Sequence, residues 1–230
     1  MNEDKTWRFQ RLYICGCKVF IYGIILAAAV LTLFGIIFTP VNPIFKAAFE
    51  GRIDAIHNYL AEGGGINAQD QYNNTALHWA AKGNQLKTVE YLVNRGIDCS
   101  IRNSQGDTAL HWSVMSNNET LIRYLVMQRM DVNDLNDEGE TPLHLAIMMN
   151  AFPSAHALLH LHADPNIIAK NGNAPLHYLA PGCIEDEKCR NLVEEFKKAG
   201  CNMTIENKQK FSVFQVVMSK RNDTLPSEEL

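Results

Sequence analysis

The sequence predicts an all-α solenoid standing behind a single transmembrane helix, and three observations predict it. The string Thr75-Ala76-Leu77-His78-Trp79-Ala80 returns as Thr-Ala-Leu-His-Trp-Ser at 108, as Thr-Pro-Leu-His-Leu-Ala at 141 and as Ala-Pro-Leu-His-Tyr-Leu at 174, always at the same interval. Glycines recur in the same register at Gly106, Gly139 and Gly172. Ahead of the repeats, Val19 to Phe38 is a run of 20 residues without a charge. A fixed period of this length marks helical units that bury their apolar faces only against their neighbours.

Residues 1–18 form a short basic segment, in which Lys5, Arg8, Arg11 and Lys18 outnumber Glu3 and Asp4. Residues 19–38 are read as the membrane span, because a helix of that length covers roughly 30 Å, the thickness of a bilayer's hydrocarbon core. A cleaved signal peptide is the alternative, with Ala27-Ala28-Ala29 as its small-residue site. Nine further uncharged residues follow that site without a break, which favours an uncleaved signal anchor. The segment has no polar face, so it does not suit the core of a soluble domain. Four basic residues precede the span, whereas Lys46 and Arg52 follow it and are offset by Glu50 and Asp54. That imbalance puts the amino terminus in the cytoplasm and the repeats in the periplasm or a lumen.

The repeat region runs over 39–220 in about five to six units: 38–70, 71–103, 104–136, 137–169, 170–207 and a cap over 208–230. A polar tail over 221–230 ends the chain. In unit 71–103, Thr75 precedes a short helix from Ala76 to Gly83, Asn84-Gln85 turn the chain, and Leu86 to Asn94 form a second helix. Gly96 ends that helix in a left-handed conformation that suits glycine. Thr75, Thr108 and Thr141 hold helix N-termini through their hydroxyls. Pro142 and Pro175 take the first helical position, where no N–H is needed. Leu77, Leu110, Leu143 and Leu176 fill the core between pairs, as do Leu92-Val93, Leu125-Val126 and Leu158-Leu159 on the second helices. Gly106, Gly139 and Gly172 occupy a turn position of positive φ, and Asn73 stands in for glycine there. Pro153 falls at the start of its second helix and does not break it.

The ends depart from the pattern, as capping units do. Asn42 to Ala47 sit one period before Thr75, with Phe45 in the histidine position. Ser212 to Val217 hold the motif position at the other end, five places later than the period would put them. Five residues are therefore inserted between the two helices of unit 170–207, over 181–189. Such insertions fall on one face of a solenoid and serve either function or neutral length variation.

These residues and spacings, from about 39 to about 220, resemble the ankyrin-repeat family. The resemblance implies helix–turn–helix units with β-turn tips. It also implies that His78, His111, His144 and His177 bond the backbone of adjacent turns rather than a shared metal. Trp79, Trp112, Leu145 and Tyr178 form a packing ladder beside them. Arrays resembling this one bind other proteins through their turn tips and the concave surface of the first helices. The candidates carried over are Gln71, Tyr72, Asn74 and Lys82, then Ser104, Gln105, Asp107, Met115 and Ser116. The later units supply Asp137, Glu138, Glu140, Met148 and Met149, then Lys170, Asn171 and Asn173. Tyr72 and the Met148-Met149 pair lead, because aromatic and adaptable apolar side chains dominate interface energetics.

Composition narrows the function classes. The formal net charge is −4, and residues beyond 38 carry 17 basic against 23 acidic groups, so no basic stripe suits nucleic acid. Six cysteines are too few for a disulfide framework. Cys99 and Cys201 read as buried thiols, Cys15 and Cys17 as candidate lipid attachment points, and Cys183-x5-Cys189 matches no zinc spacing. On the exoplasmic side that last pair is open to oxidation. No nucleophile elbow, phosphate loop, zinc-protease pair or calcium loop is present, and Gly63-Gly64-Gly65 lacks a following lysine. The expectation is therefore a non-enzymatic scaffold without cofactor, metal or small-molecule substrate, tethered to a membrane and binding a protein. The rival is a bacterial envelope protein that protects an enzyme or is delivered to a host as an effector.

Overall fold

The computed structural model describes residues 42–180 and 183–218, which fall within one compact unit that begins at Asn42. The basic segment, the apolar run at 19–38 and the polar tail lie outside the described residues. Among those described, no helix is long and apolar enough to cross a membrane.

The helices are α1 (Pro43–Glu50), α2 (Ile53–Ala61), α3 (Ala76–Lys82), α4 (Leu86–Asn94), α5 (Ala109–Ser113), α6 (Glu119–Met127), α7 (Pro142–Met148), α8 (Phe152–His160), α9 (Glu187–Lys198) and α10 (Val213–Met218). Short 3-10 turns follow α5 at Val114–Ser116 and replace a first helix at Pro175–Tyr178. First helices stack in a row, with α1 on α3, α3 on α5, α5 on α7 and α7 on the Pro175–Tyr178 turn. Among the second helices, α8 packs between α6 and α9. β-pairing among the described residues is limited to the bridges Gln69–Thr75 and Glu206–Ser212.

Local chemistry starts and stops each element. Asn42 caps α1 by accepting the Ile44 N–H at 3.2 Å, and Pro43 follows at the first helical position. Gly51 closes α1 in the left-handed region with φ of 76°. Asn73, Gly106, Gly139 and Gly172 all have positive φ, as their turn positions demand, and Lys210 adopts 67° at the same place in the last unit. Pro153 sits in the first turn of α8. Leu77, Leu110, Leu143 and Leu176 are buried, and Leu92, Leu125 and Leu158 face them from the second helices. Each such leucine contributes about 1.5–3 kcal/mol relative to an exposed one.

The fifth unit corrects the sequence reading. Its first helix is only a 3-10 turn, and Leu179 is already extended. Ala180 precedes Pro181, and a residue before proline is driven out of the helical region. The five extra residues are not a loop confined to 181–189. Counted from α8, the second helix starts two places later than the period predicts and ends five places later. Two residues therefore lengthen the connection and three lengthen the helix. Cys183 and Cys189 are joined by a disulfide that ties this connection to the first turn of α9. Cys99 and Cys201 are half-buried rather than enclosed, and burial raises both thiols, Cys201 to about 11.

Candidate protein-binding surface

The tips are built on one residue that recurs with the period. Asp70, Asn103, Asn136 and Asn207 each accept two backbone N–H groups with Oδ1, from the residues two and four places on. The distances are 2.8 and 2.9 Å at Asp70, 2.9 and 2.9 Å at Asn103, 3.0 and 2.9 Å at Asn136, and 3.1 and 3.0 Å at Asn207. This local bond fixes the turn. Tips are then tied to each other through the backbone: Ser104 N–H to Tyr72 C=O at 2.8 Å, Asp137 N–H to Gln105 C=O at 2.9 Å, and Lys170 N–H to Glu138 C=O at 2.9 Å. Side chains presented from this ribbon are therefore held rather than loose.

Asn74, Asp107 and Glu140, three of the expected contact residues, are buried. Asn74 and Asp107 accept from the next tip: Asn103 Nδ2 donates to Asn74 Oδ1 at 3.0 Å, and Asn136 Nδ2 to Asp107 Oδ1 at 3.1 Å. Ala169 cannot donate to Glu140, and the Tyr178 hydroxyl does so instead, to Oε1 at 3.0 Å. Asn173 is half-buried and takes the Asn207 amide at 3.0 Å. These four polar side chains hold adjacent tips together instead of standing free in solvent as the sequence suggests. Ser116 is also turned inward, with its hydroxyl on the Ser113 carbonyl at 2.6 Å.

The exposed candidates fall into register. Phe49, Lys82, Met115 and Met148 follow one another at one-period spacing along the ends of the first helices, or just past one. Phe49 and Met148 are 43% and 41% exposed, Lys82 is exposed and Met115 is half-buried. Met149 follows at 51%, and Tyr72 stands on its tip at 61%. Gln71, Ser104, Gln105, Asp137, Glu138, Lys170 and Asn171 are exposed on the tips. Phe49 was missing from the sequence reading, although its place one period before Lys82 could have revealed it.

Beside this column the aromatic ladder packs edge to face, with Phe49–Trp79 centroids 6.3 Å apart and Trp79–Trp112 centroids 5.4 Å apart. The Lys82 ammonium lies 5.4 Å from the Trp79 ring and 4.9 Å from the Trp112 ring, a cation–π arrangement that holds the charge in place. Trp79 Nε1 donates to Asp70 Oδ2 at 3.0 Å. Burial pushes the Asp70 carboxyl up, but bonds from Asn74, Tyr72 and Trp79 outweigh it and hold the group below the usual carboxylate value. Gly83 is required by close approach, since a Cβ there would stand 2.2 Å from the Phe49 carbonyl oxygen.

The histidines lock the ladder from behind. Nδ1 of His78, His111, His144 and His177 accepts the N–H of the residue three places earlier, at 3.2, 3.2, 3.0 and 3.0 Å. Nε2 then donates to a carbonyl of the next unit: Asp107 at 3.1 Å, Glu140 at 3.2 Å, Asn173 at 3.3 Å and Phe211 at 3.1 Å. The partners dictate the neutral Nε2–H tautomer. Burial depresses all four, His144 to about 4. The threonines and these rings form reciprocal caps: each hydroxyl meets its histidine's Nδ1, at 2.9, 3.0 and 2.8 Å for Thr75, Thr108 and Thr141, and each threonine side chain accepts from the histidine's backbone N–H.

The model of the family described as "Ankyrin repeats (3 copies)" matches residues 34–103 and 98–169, more than half of the chain. The chain belongs to the ankyrin-repeat family. It is also similar to the ankyrin repeat domain-containing protein SAT10 of Stachybotrys chartarum, with 38% identity over 66 residues. That alignment covers 26% of this chain and 3% of the relative's length. Ankyrin repeats are protein–protein interaction modules. The unit after 169 lies beyond the matched residues but keeps the histidine, the tip and the left-handed turn.

Proposed function

We propose that this ankyrin protein is a membrane-tethered module that captures a protein partner along the column of Phe49, Lys82, Met115 and Met148 and the tip residue Tyr72. The observation that carries this reading is one repeating position of the array at which Phe49 and Met148 are exposed, Lys82 presents its ammonium and Met115 is half-buried. Scattered exposed apolar residues need no explanation, but a periodic row beside an aromatic ladder suits an interface core. The partner that fits presents an apolar ridge with a carboxylate placed to meet the Lys82 ammonium.

Tethering rests on the uncharged run at 19–38, and placement of the repeats on the exoplasmic side rests on the basic excess before it. The Cys183–Cys189 bridge supports that placement, because such bonds persist in oxidising compartments. A photo-crosslinking residue at Met148 or Tyr72 of the full chain, in native membranes, is expected to trap one protein in common. The same probe at Arg123, exposed on α6, is expected to trap none. Equal labelling from Arg123 would defeat the proposal. Protease added to sealed vesicles of known orientation settles the side independently.

A further inference from the structure

We infer that His156, His160 and Glu195 form a binding site for a first-row transition-metal dication of the zinc class, clamping the fourth unit to the fifth. His156 and His160 are one helical turn apart on α8, and such a pair shares a face. Their Nε2 atoms stand 3.2 Å apart, and Glu195 on α9 brings Oε2 to 3.8 Å from His160 Nε2. The three ligand atoms lie within 4.8 Å of one another.

Those separations suit a metal. For zinc bonded at about 2.0–2.1 Å in tetrahedral geometry, the ligand atoms stand roughly 3.3–3.4 Å apart. The imidazole pair already meets that edge; Glu195 Oε2 lies 3.8 Å from His160 and within 4.8 Å of His156, so the carboxylate closes on a shared ion by a side-chain adjustment of at most about 1.4 Å. Two Nε2 atoms this close must share either a proton or a cation, since two bare lone pairs repel. Glu195 is oriented from its other side, where Lys198 Nζ holds Oε1 at 2.9 Å and leaves Oε2 turned to the histidines. Imidazole with carboxylate selects zinc-class ions over calcium or magnesium, which want oxygen ligands. The fourth coordination position faces solvent, because both histidines are exposed.

The location gives the site a purpose. The joint between units four and five is where the period changes, the first helix shortens to a 3-10 turn and α9 is lengthened. A dication held by α8 and α9 together fixes the spacing of these two helices at that joint. It does so independently of the partner-binding column, which lies on the first helices.

The test uses the full chain in mild detergent, stripped with chelator and titrated with ZnCl2 alone, in a Cys15→Ser/Cys17→Ser/Cys99→Ser/Cys201→Ser background that removes competing thiols. One equivalent should bind. His156→Ala/His160→Ala should abolish saturable binding, and Glu195→Gln should weaken it at least about tenfold. His57→Ala and His162→Ala should leave it unchanged. Because both histidines are exposed and Glu195 is partly so, helicity by circular dichroism should stay at the wild-type level. Cobalt should give the intense visible absorption of a tetrahedral site in the wild-type chain only. Zinc should also slow hydrogen exchange across α9 in the wild-type chain and not in the double-histidine variant. Failure of the wild-type chain to bind zinc, or undiminished binding by the double variant, overturns the site. Binding without slowed exchange overturns the clamp.

Discussion

Acidification should unlock the histidine ladder well before it protonates the carboxylates. His144 is wholly buried, accepts at Nδ1, donates from Nε2, and is depressed by burial from 6.5 to about 4. In the unfolded chain its imidazole is free to take a proton near 6.5. Between these values the unfolded state binds the extra proton, so stability is full above about 6.5, falls as pH drops, and levels off below about 4. At pH 5 the unfolded chain gains about 2 kcal/mol from protonating this one residue, and the folded chain gains almost nothing. His78, His111 and His177 are depressed in the same direction and add to the loss. Asp70, held low instead, contributes stability lost only below about 4, a separate window.

A non-titrating replacement already exists in the fold. In the last unit Gln215 takes the histidine's place, accepting the Ser212 N–H with Oε1 at 2.8 Å. His144→Gln should therefore fold and keep the cap. Urea unfolding of the detergent-solubilised chain, followed by circular dichroism at pH 7.5 and 5, should show the wild type losing at least about 2 kcal/mol. The variant should lose about 2 kcal/mol less over the same interval. Equal pH dependence in the two proteins, or a wild-type loss under about half a kcal/mol, would refute the account of the ladder.

Leu110→Ala should cost about 2–5 kcal/mol in denaturant unfolding, since Leu110 is fully buried between stacked units. Gly106→Ala should destabilise the chain by more than about 1 kcal/mol, because φ there is 76° and a Cβ would stand 2.6 Å from Asp137 N. A thermal scan checks it, and an unchanged midpoint would deny the tie between those tips. Replacing Cys183 and Cys189 by serine should cost about 2 kcal/mol from the freedom returned to a six-residue separation. If a reductant leaves the melting of the wild-type chain unaltered, the bridge contributes nothing.

The parts of this protein set by local chemistry were legible in its sequence. The helix over Leu86–Asn94 and the positive φ at Asn73, Gly106, Gly139 and Gly172 follow from period, glycine and asparagine alone. What escaped was where polar side chains point. Asn74, Asp107 and Glu140 precede the motif threonine and look like solvated variable positions, yet Asn74 and Asp107 bond the next tip and Glu140 takes the Tyr178 hydroxyl. Polarity in a periodic pattern does not separate a residue facing water from one facing its own copy. The recurrence of Asp70, Asn103 and Asn136 at the same spacing was the available clue. Likewise an insertion can be counted from spacing, but its division between connection and helix depends on Pro181 and on α9 gaining three residues. Phe49 was legible too, since it stands one period before Lys82 in a unit whose register Phe45 already set.

The claim on which the rest depends is that the partner is held by the column and its neighbouring tip. The affinity of the crosslinked partner for the full chain, compared with that for Tyr72→Ala/Met148→Ala, tests it most directly. Both side chains are exposed, so the double variant should unfold at the wild-type urea midpoint. Its affinity should fall by more than about 1 kcal/mol, over fivefold in Kd. Unchanged affinity with intact folding would contradict the account and move the binding surface off the column.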